Sequence, residues 1–303
     1  MILIIGAPDE QHSKYIYDKL TSRNEDVAYF DTRQIPANLL VNWNPDDKDV
    51  AGYFKIDNNK IFFKDIKSVY WRTHYGLRTK HNTNNQKLLF ILNKELESAY
   101  NSVFCALNCL WINSIDAIEL HRKKGYQLNL MAQNNIRIPK TLVTNDTDEI
   151  MQFMESNSNR VIFKPVNGGA LTEILTPAHL TKERLDGLKN SPVQFQELIE
   201  GVDIRVYGIN NKLFAAKIVA NTIDFRGDSA ADIVPIELPD NIKQDCFKIM
   251  ELFKLKLTGI DIRLTPEGEY VFIEANPSPM FIHFEKMTNY PISENLCEML
   301  INA

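Results

Sequence analysis

Apolar and polar positions along this chain follow two periods, and each change of period marks an element. Ile2 to Ile5 is a continuous apolar run, followed by the turn Gly6-Ala7-Pro8-Asp9. Helical spacing then covers residues 12–23, and a second apolar run covers 27–31. Strand, turn, helix and strand in that order predict a βαβ unit of the doubly wound kind. Short strands are expected at 51–56 and 60–63 about the turn Asp57-Asn58-Asn59, and another at 68–72. Leu88, Leu89, Ile91, Leu92, Leu96 and Ala99 give a helix over 84–107.

Beyond Trp111-Ile-Asn-Ser114 the pattern changes. Ser114 can cap a short helix to 119, and a further helix covers 123–134. Strand 141–144, helix 147–156, strand 161–164, a glycine turn, strand 173–176 and helix 181–188 follow. Residues 194–199, 202–209 and 212–220 read as consecutive strands, then come a helix at 241–253, a hairpin and a last helix at 293–301. The expected class is an α/β N-terminal domain followed by an α+β part with a largely antiparallel sheet.

Composition narrows the function classes. With 303 residues, 44% of them apolar and 24% charged, the chain can bury a large core. A net charge of −5 speaks against a general nucleic-acid binder. No apolar stretch reaches membrane-spanning length, and the N-terminal run reads as a buried strand, not a signal peptide. Cys105, Cys109, Cys246 and Cys297 form no CxxC pair, which suggests reduced thiols and a cytoplasmic setting.

The chemistry concentrates near the C-terminus. Glu274 and Asn276 stand two apart on an expected strand, so both project from one face. A carboxylate and an amide oxygen side by side suit Mg²⁺ that also holds substrate phosphates. Asp261 lies on the preceding strand, and a turn centred near Glu267-Gly268 places it opposite Glu274. Lys164 leaves a strand just before Gly168-Gly169, where backbone N–H groups can approach phosphate. Lys124 opens an amphipathic helix. Gln196-Glu197-Leu198-Ile199 can offer backbone groups to a base edge. Arg205, beside Asp203, and Lys217 put cations on adjacent strands, and Asp224-Phe225-Arg226 follows. Taken singly, the two lysines read more simply as solvated surface residues, and the other segments also fit an edge strand or a loop of local ion pairs.

Their order is more specific. Lys124, Lys164, the glycine turn, Gln196-Glu197, Asp203/Arg205, Lys217, Asp224/Arg226, Asp261 and Glu274-x-Asn276 together resemble the ATP-grasp superfamily from about Ser114 onward. Five further stretches resemble the microviridin-type peptide ligases, the graspetide synthetases. They are Ser68-Val-Tyr-Trp-Arg72, Lys124-Gly-Tyr-Gln-Leu with Ile138-Pro-Lys-Thr-Leu-Val-Thr-Asn145, Asp224-Phe-Arg226, Glu274-Ala-Asn-Pro-Ser-Pro, and Ile282-His-Phe-Glu285 with Tyr290-Pro-Ile292. The chain departs from that pattern at Arg72-Thr73-His74, where many members carry a second arginine and a proline, a difference that bears on the substrate.

The resemblance implies a pre-ATP-grasp domain over 1–113, a central/lid subdomain over 114–195 and a C-terminal subdomain with the metal site over 196–303. It implies that Lys124 and Lys164 contact ATP phosphates beneath a lid containing Gly168 and Gly169. Gln196, Glu197, Leu198 and Ile199 would hold adenine, with Glu197 reaching toward the exocyclic amine, and Asp203 would contact ribose. Asp261, Glu274 and Asn276 would hold two Mg²⁺ ions. An Asp or Glu side chain of a ribosomal precursor peptide would be phosphorylated and then joined to a Thr or Ser hydroxyl or a Lys amine. Arg205, Lys217 and Arg226 would offset the charge, and Arg72 would reach the acceptor carboxylate. Asp203, Asp224, His283 and Glu285 are unranked candidates for the proton acceptor. The implied partner is a leader-plus-core peptide, and the implied assembly a homodimer. A ligase adding an amino acid to a protein or small acceptor, and a non-catalytic nucleotide- or peptide-binding module, are the alternatives.

Overall fold

The N-terminal apolar run is buried at every position because it becomes the middle of a parallel sheet covered on both faces. In the computed structural model, which describes residues 1–46, 48–167, 172–219 and 232–303, β1 (Ile2–Ile5) is followed by α1 (Gln11–Thr21) and β2 (Val27–Phe30). The chain then builds a small antiparallel sheet from β3 (Leu39–Trp43), β4 (Gly52–Ile56) and β5 (Asn59–Phe62) before returning as β6 (Ser68–Trp71). Helix α2 (Gln86–Ala106) and β7 (Leu110–Ile112) complete a sheet of order β2-β1-β6-β7, with β1 parallel to both neighbours. Alternate residues serve different cores. Leu3, Ile5, Val69 and Trp71 pack with Phe30, Phe54, Tyr100 and Phe104, whereas Ile2, Ile4 and Tyr70 face the C-terminal part.

Glu10 caps α1 and ties it to the neighbouring strand end. Its carboxylate accepts from Ser13 N at 2.6 Å and Ser13 Oγ at 2.8 Å, and Arg72 Nη2 lies 3.2 Å away. Burial pushes this carboxyl up, but the His12 ring, the Arg72 guanidinium and the Ser13 donors outweigh it and hold Glu10 well below the usual carboxylate range. A depressed folded value means the ionised form stabilises the fold above the unfolded value and that this contribution fades as pH falls toward the folded one. Glu10→Gln is therefore expected to cost about 1–2 kcal/mol at neutral pH. Urea unfolding should show that deficit shrinking below the ordinary carboxylate range.

The second half forms two antiparallel sheets. Helices α3 (Ile115–His121) and α4 (Lys124–Gln133) lead into β8 (Thr141–Thr144), α5 (Thr147–Ser156), β9 (Val161–Lys164), β10 (Glu173–Ile174), α6 (Lys182–Leu188) and β11 (Val193–Glu197). The strands pair in the order β10-β9-β11-β8 over a core of Ile150, Met154, Val161, Leu175 and Phe195. The larger sheet comprises β12 (Val202–Ile209), β13 (Lys212–Val219), β14 (Asp232–Ile236), β15 (Leu257–Leu264) and β16 (Tyr270–Asn276), ordered β14-β13-β12-β15-β16. Helix α7 (Asp240–Leu252) precedes β15, while α8 (Ile282–Thr288) and α9 (Ile292–Ile301) end the chain. The expected boundary at 195/196 falls inside β11, which pairs with both β8 and β9. Ala117, Leu128 and Met131 of α3 and α4, within the expected central/lid span, share the core of the larger sheet with Ile204, Val206, Ile260 and Phe272.

One face of the larger sheet is thus covered by α3, α4 and α7. On the opposite face, Tyr207, Ile209 and Leu257 pack with Ile2, Ile4, Tyr70 and helices α8 and α9. The rest of that face carries Asp203, Arg205, Asp261, Arg263 and Glu274. Between the two sheets the chain passes through Gly201 at φ +141°, where a Cβ would lie 2.0 Å from the Leu264 carbonyl oxygen. Backbone cannot yield there as a flexible side chain could. Gly201→Ala is expected to cost at least about 2 kcal/mol, read as a lowered midpoint in thermal unfolding.

Candidate nucleotide and metal site

Cross-strand register assembles the site. Asp261 of β15 stands opposite Arg205 of β12 on one side and Glu274 of β16 on the other, while Asn276 pairs with Gly259. Paired residues of antiparallel strands share a face, so these side chains form a row. Arg205 Nη1 donates to Asp261 Oδ1, and Lys124 Nζ, from the first residue of α4, donates to Glu274 Oε2 at 2.8 Å. The row reads cation, carboxylate, carboxylate, cation. Gly259 leaves space for it, since a Cβ there would lie 2.7 Å from Arg205 Nη2.

Two adjacent carboxylates cannot ionise independently. Burial, with the Glu274 charge adding to it against the Arg205 guanidinium, holds Asp261 above its ordinary range. Burial acts on Glu274 too, but the hydrogen-bonded Lys124 ammonium and the charge of Lys164 outweigh it and hold Glu274 below its ordinary range. Asn276 Oδ1 accepts from Ser278 N at 2.9 Å, which fixes the amide oxygen's orientation. Among the described residues no three His, Cys, Asp or Glu side chains gather into a metal cluster. Two carboxylates and one amide oxygen nevertheless suit Mg²⁺, which keeps positions open for water and phosphate.

The structure brings some expected residues together and turns others aside. Lys164 lies near enough for its charge to reach Glu274. Gln196 is 1% exposed and shares a sheet face with Lys164, because Gln194 pairs with Lys164 and Gln196 with Ile162. Glu197 points elsewhere: its Oε1 accepts from Lys140 N at 2.7 Å and lies 3.2 Å from Arg137 Nη2. Glu197 was expected to reach the exocyclic amine or its surroundings; here its carboxylate is engaged by the backbone of Lys140 and by Arg137. Leu198 N donates to Arg160 O, and Ile199 O accepts from Arg263 Nε. Asp203 pairs with Arg263 at 2.7 Å.

Lys217 does not join Arg205. It pairs with Ile204, whereas Arg205 pairs with Ala216, so the two cations leave opposite faces of the sheet. Arg72 reaches the rim of the site but is already engaged. Its Nη1 donates to Ser278 O at 2.8 Å and Nη2 lies by Glu10, while Ser278 Oγ donates back to Arg72 O at 2.6 Å. It clasps the N-terminal sheet to the turn after β16, in keeping with the alternative of an internal ion pair, here with Glu10. Glu285 is likewise committed, accepting from Tyr15 OH at 2.8 Å and Ser293 Oγ at 2.6 Å, and His283 is exposed. Gly168, Gly169, Asp224 and Arg226 lie outside the described residues.

Arg263, Ser278 and His121 were not anticipated. His121 Nδ1 lies 3.2 Å from Ala275 O behind Glu274. Burial holds its imidazole below the usual histidine value against the pull of Glu274. Arg263 had a signal, since it stands two residues beyond Asp261 on the same strand face. His121 had none, and for Ser278 only its place two residues after Asn276 was legible, since its bonds with Arg72 are remote in sequence.

Two antiparallel sheets joined through residues 198–201, with an acid-acid-amide hairpin on the second, define an ATP-grasp ligase. The profile of the RimK-like ATP-grasp domain matches residues 121–300. The ATP-grasp ligase PsnB, solved with a minimal precursor, is 30% identical with a TM-score of 0.87, covering 99% of this chain and 98% of that one. PsnB with a phosphomimetic variant of the minimal precursor, Mg and ADP gives 29% and 0.86, over 99% and 97% of the two chains. Alpha-aminoadipate–LysW ligase LysX of Sulfurisphaera tokodaii is 23% identical over 208 residues, 65% of this chain and 73% of LysX. The chain belongs to the RimK-like ATP-grasp family and, within it, to the graspetide synthetases. It is a ligase of a class that uses ATP and magnesium.

Proposed function

We infer that the chain is an ATP-dependent macrocyclase of a ribosomal precursor peptide with leader and core segments. The observation that carries this reading is the likeness to precursor-bound PsnB over 99% of the chain, N-terminal domain included. The likeness to amino-acid-adding LysX extends over only 65% of it.

In the first step a side-chain carboxylate oxygen of the peptide attacks the γ-phosphorus of ATP. The new P–O bond gives an acyl phosphate, and ADP leaves. A Thr or Ser hydroxyl, or a Lys amine, of the same peptide then attacks the acyl carbon. Phosphate leaves, the nucleophile gives up its proton, and an ester or amide closes the ring. Both reactants of the first step are anionic, so positive charge must be fixed beforehand where they meet. Lys124 and Arg205 bracket the two acids at that place, and Lys164 contributes from the smaller sheet. Asp261, Glu274 and Asn276 would hold magnesium, two ions by this proposal, and the metal would supply charge neutralisation at the transferred phosphoryl group. Tethering of both reacting groups on one peptide supplies much of the second step. Homodimeric assembly and a cytoplasmic setting belong to the same proposal. Among the described residues no helix is long and apolar enough to cross a membrane.

The test uses the purified chain, ATP, Mg²⁺ and candidate precursor peptides, a short reading frame beside the gene being the first to seek. The peptide should lose the mass of one water per bond formed, with stoichiometric ADP. Vigorous ADP release on free amino acids, with no change in any such peptide, would replace this reading by the amino-acid-adding one.

A further inference from the structure

We propose that Thr141 is a positioning residue that holds the Gln196 amide in one orientation and thereby makes the site select adenine over guanine. The proposal rests on the ATP-dependent reading above. It starts from the register of the smaller sheet, which sets Gln196 of β11 opposite Thr141 of β8. Gln196 Nε2 donates to Thr141 Oγ1 at 2.9 Å. The Thr141 hydroxyl has a single proton, and it is given to the Pro139 carbonyl oxygen at 2.9 Å, an atom that can only accept. Thr141 Oγ1 therefore has lone pairs to offer Gln196 and no proton. Only the NH₂ end of the amide satisfies it, because the reversed amide would set two acceptors against each other. Gln196 Oε1 is thus kept on the side away from Thr141.

That orientation matters because of what shares the face. Gln196, Gln194 and Lys164 lie together, and the Lys164 charge is felt at Glu274, so this face meets the phosphate end of the site. A purine carried on those phosphates presents either a 6-amino donor or a 6-oxo acceptor. A buried acceptor that cannot turn pairs with the first and repels the second. Of the segment 196–199, only Gln196 and Glu197 have polar side chains, and Glu197 is engaged by Lys140 and Arg137. Gln196 is left as the reader of the base and Thr141 as the residue that sets its direction.

Binding of ADP and of GDP, each with Mg²⁺, is measured calorimetrically on the full chain without peptide. Thr141→Val removes the hydroxyl at nearly constant volume and frees the amide to turn. The ratio of ADP to GDP affinity is expected to fall by about tenfold, and Thr141→Ser should restore it. Gln196→Leu leaves Thr141 untouched and is expected to reach the same lowered ratio, which keeps the proposal testable if the Val variant does not fold. Equal weakening of both nucleotides in Thr141→Val, at an unchanged ratio, would show a purely structural role and overturn the proposal. So would an adenine preference that survives in Gln196→Leu. Either result would leave the ligase reading standing, whereas a wild-type chain that binds no ADP would overturn both.

Discussion

Glu274→Gln is expected to lower turnover by about 10²–10³-fold or more while leaving the fold intact. The substitution preserves the side chain's shape, and its amide oxygen can still accept from Lys124. What it removes is negative charge from the middle of the row Arg205, Asp261, Glu274, Lys124. One carboxylate then remains to hold a divalent cation, and Lys124 becomes a half-buried ammonium without its counter-charge. The loss should appear in ADP release and in peptide mass together, because both depend on the same phosphoryl transfer. Circular dichroism and thermal unfolding check that the chain is folded. Activity within tenfold of the unaltered enzyme would mean that magnesium sits elsewhere.

The position of that row was legible in the sequence, though for an incomplete reason. A regular hairpin closed by Thr265 to Glu269 pairs Leu264 with Tyr270 and Ile262 with Phe272, and would continue by setting Asp261 against Ile273. Glu274 would then fall on the far face. A bulge between Asp261 and Ile262 inserts one residue on β16, and that brings Glu274 opposite Asp261. The two acids and the turn mark the meeting point, but nothing in the residue types announces the bulge. Lys217 shows the reverse case. Asn210 and Asn211, both at positive φ, form a two-residue hairpin turn that pairs Ile209 with Lys212. Counting back from it sets Arg205 against Ala216, so the separation of the two cations could have been read. Glu197 was legible in the same way, since it alternates with Gln196 and follows the parity of Phe195. Arg72, Glu10 and Ser278 were not, because the bonds joining residue 72 to residue 278 depend on how two domains dock. Strand β14 was obscured by Pro235, which an edge strand tolerates.

Arg205 and Asp261 allow the chemistry of the row to be separated from its contribution to the fold. Arg205→Met is expected to cost about 2–3 kcal/mol in urea unfolding, because it leaves a half-buried carboxylate unpaired. Burial already holds Asp261 above its ordinary range, and without Arg205 it would rise further. For an acid whose folded value is raised, the penalty is full at neutral pH and is relieved as pH falls and the group protonates. The deficit of Arg205→Met should therefore narrow toward acid pH, because the variant is relieved as its carboxyl protonates, whereas the Glu10→Gln deficit narrows because the unaltered protein loses stability. Arg205→Met combined with Asp261→Leu removes both charges and should recover most of the stability, since a buried ion pair exchanged for apolar groups of similar size is often neutral or better. Turnover should not recover, because the double variant has lost a metal-facing oxygen and the cation beside it. Recovery of both would mean the pair serves the fold alone, and recovery of neither would mean that packing, not charge burial, governs the site.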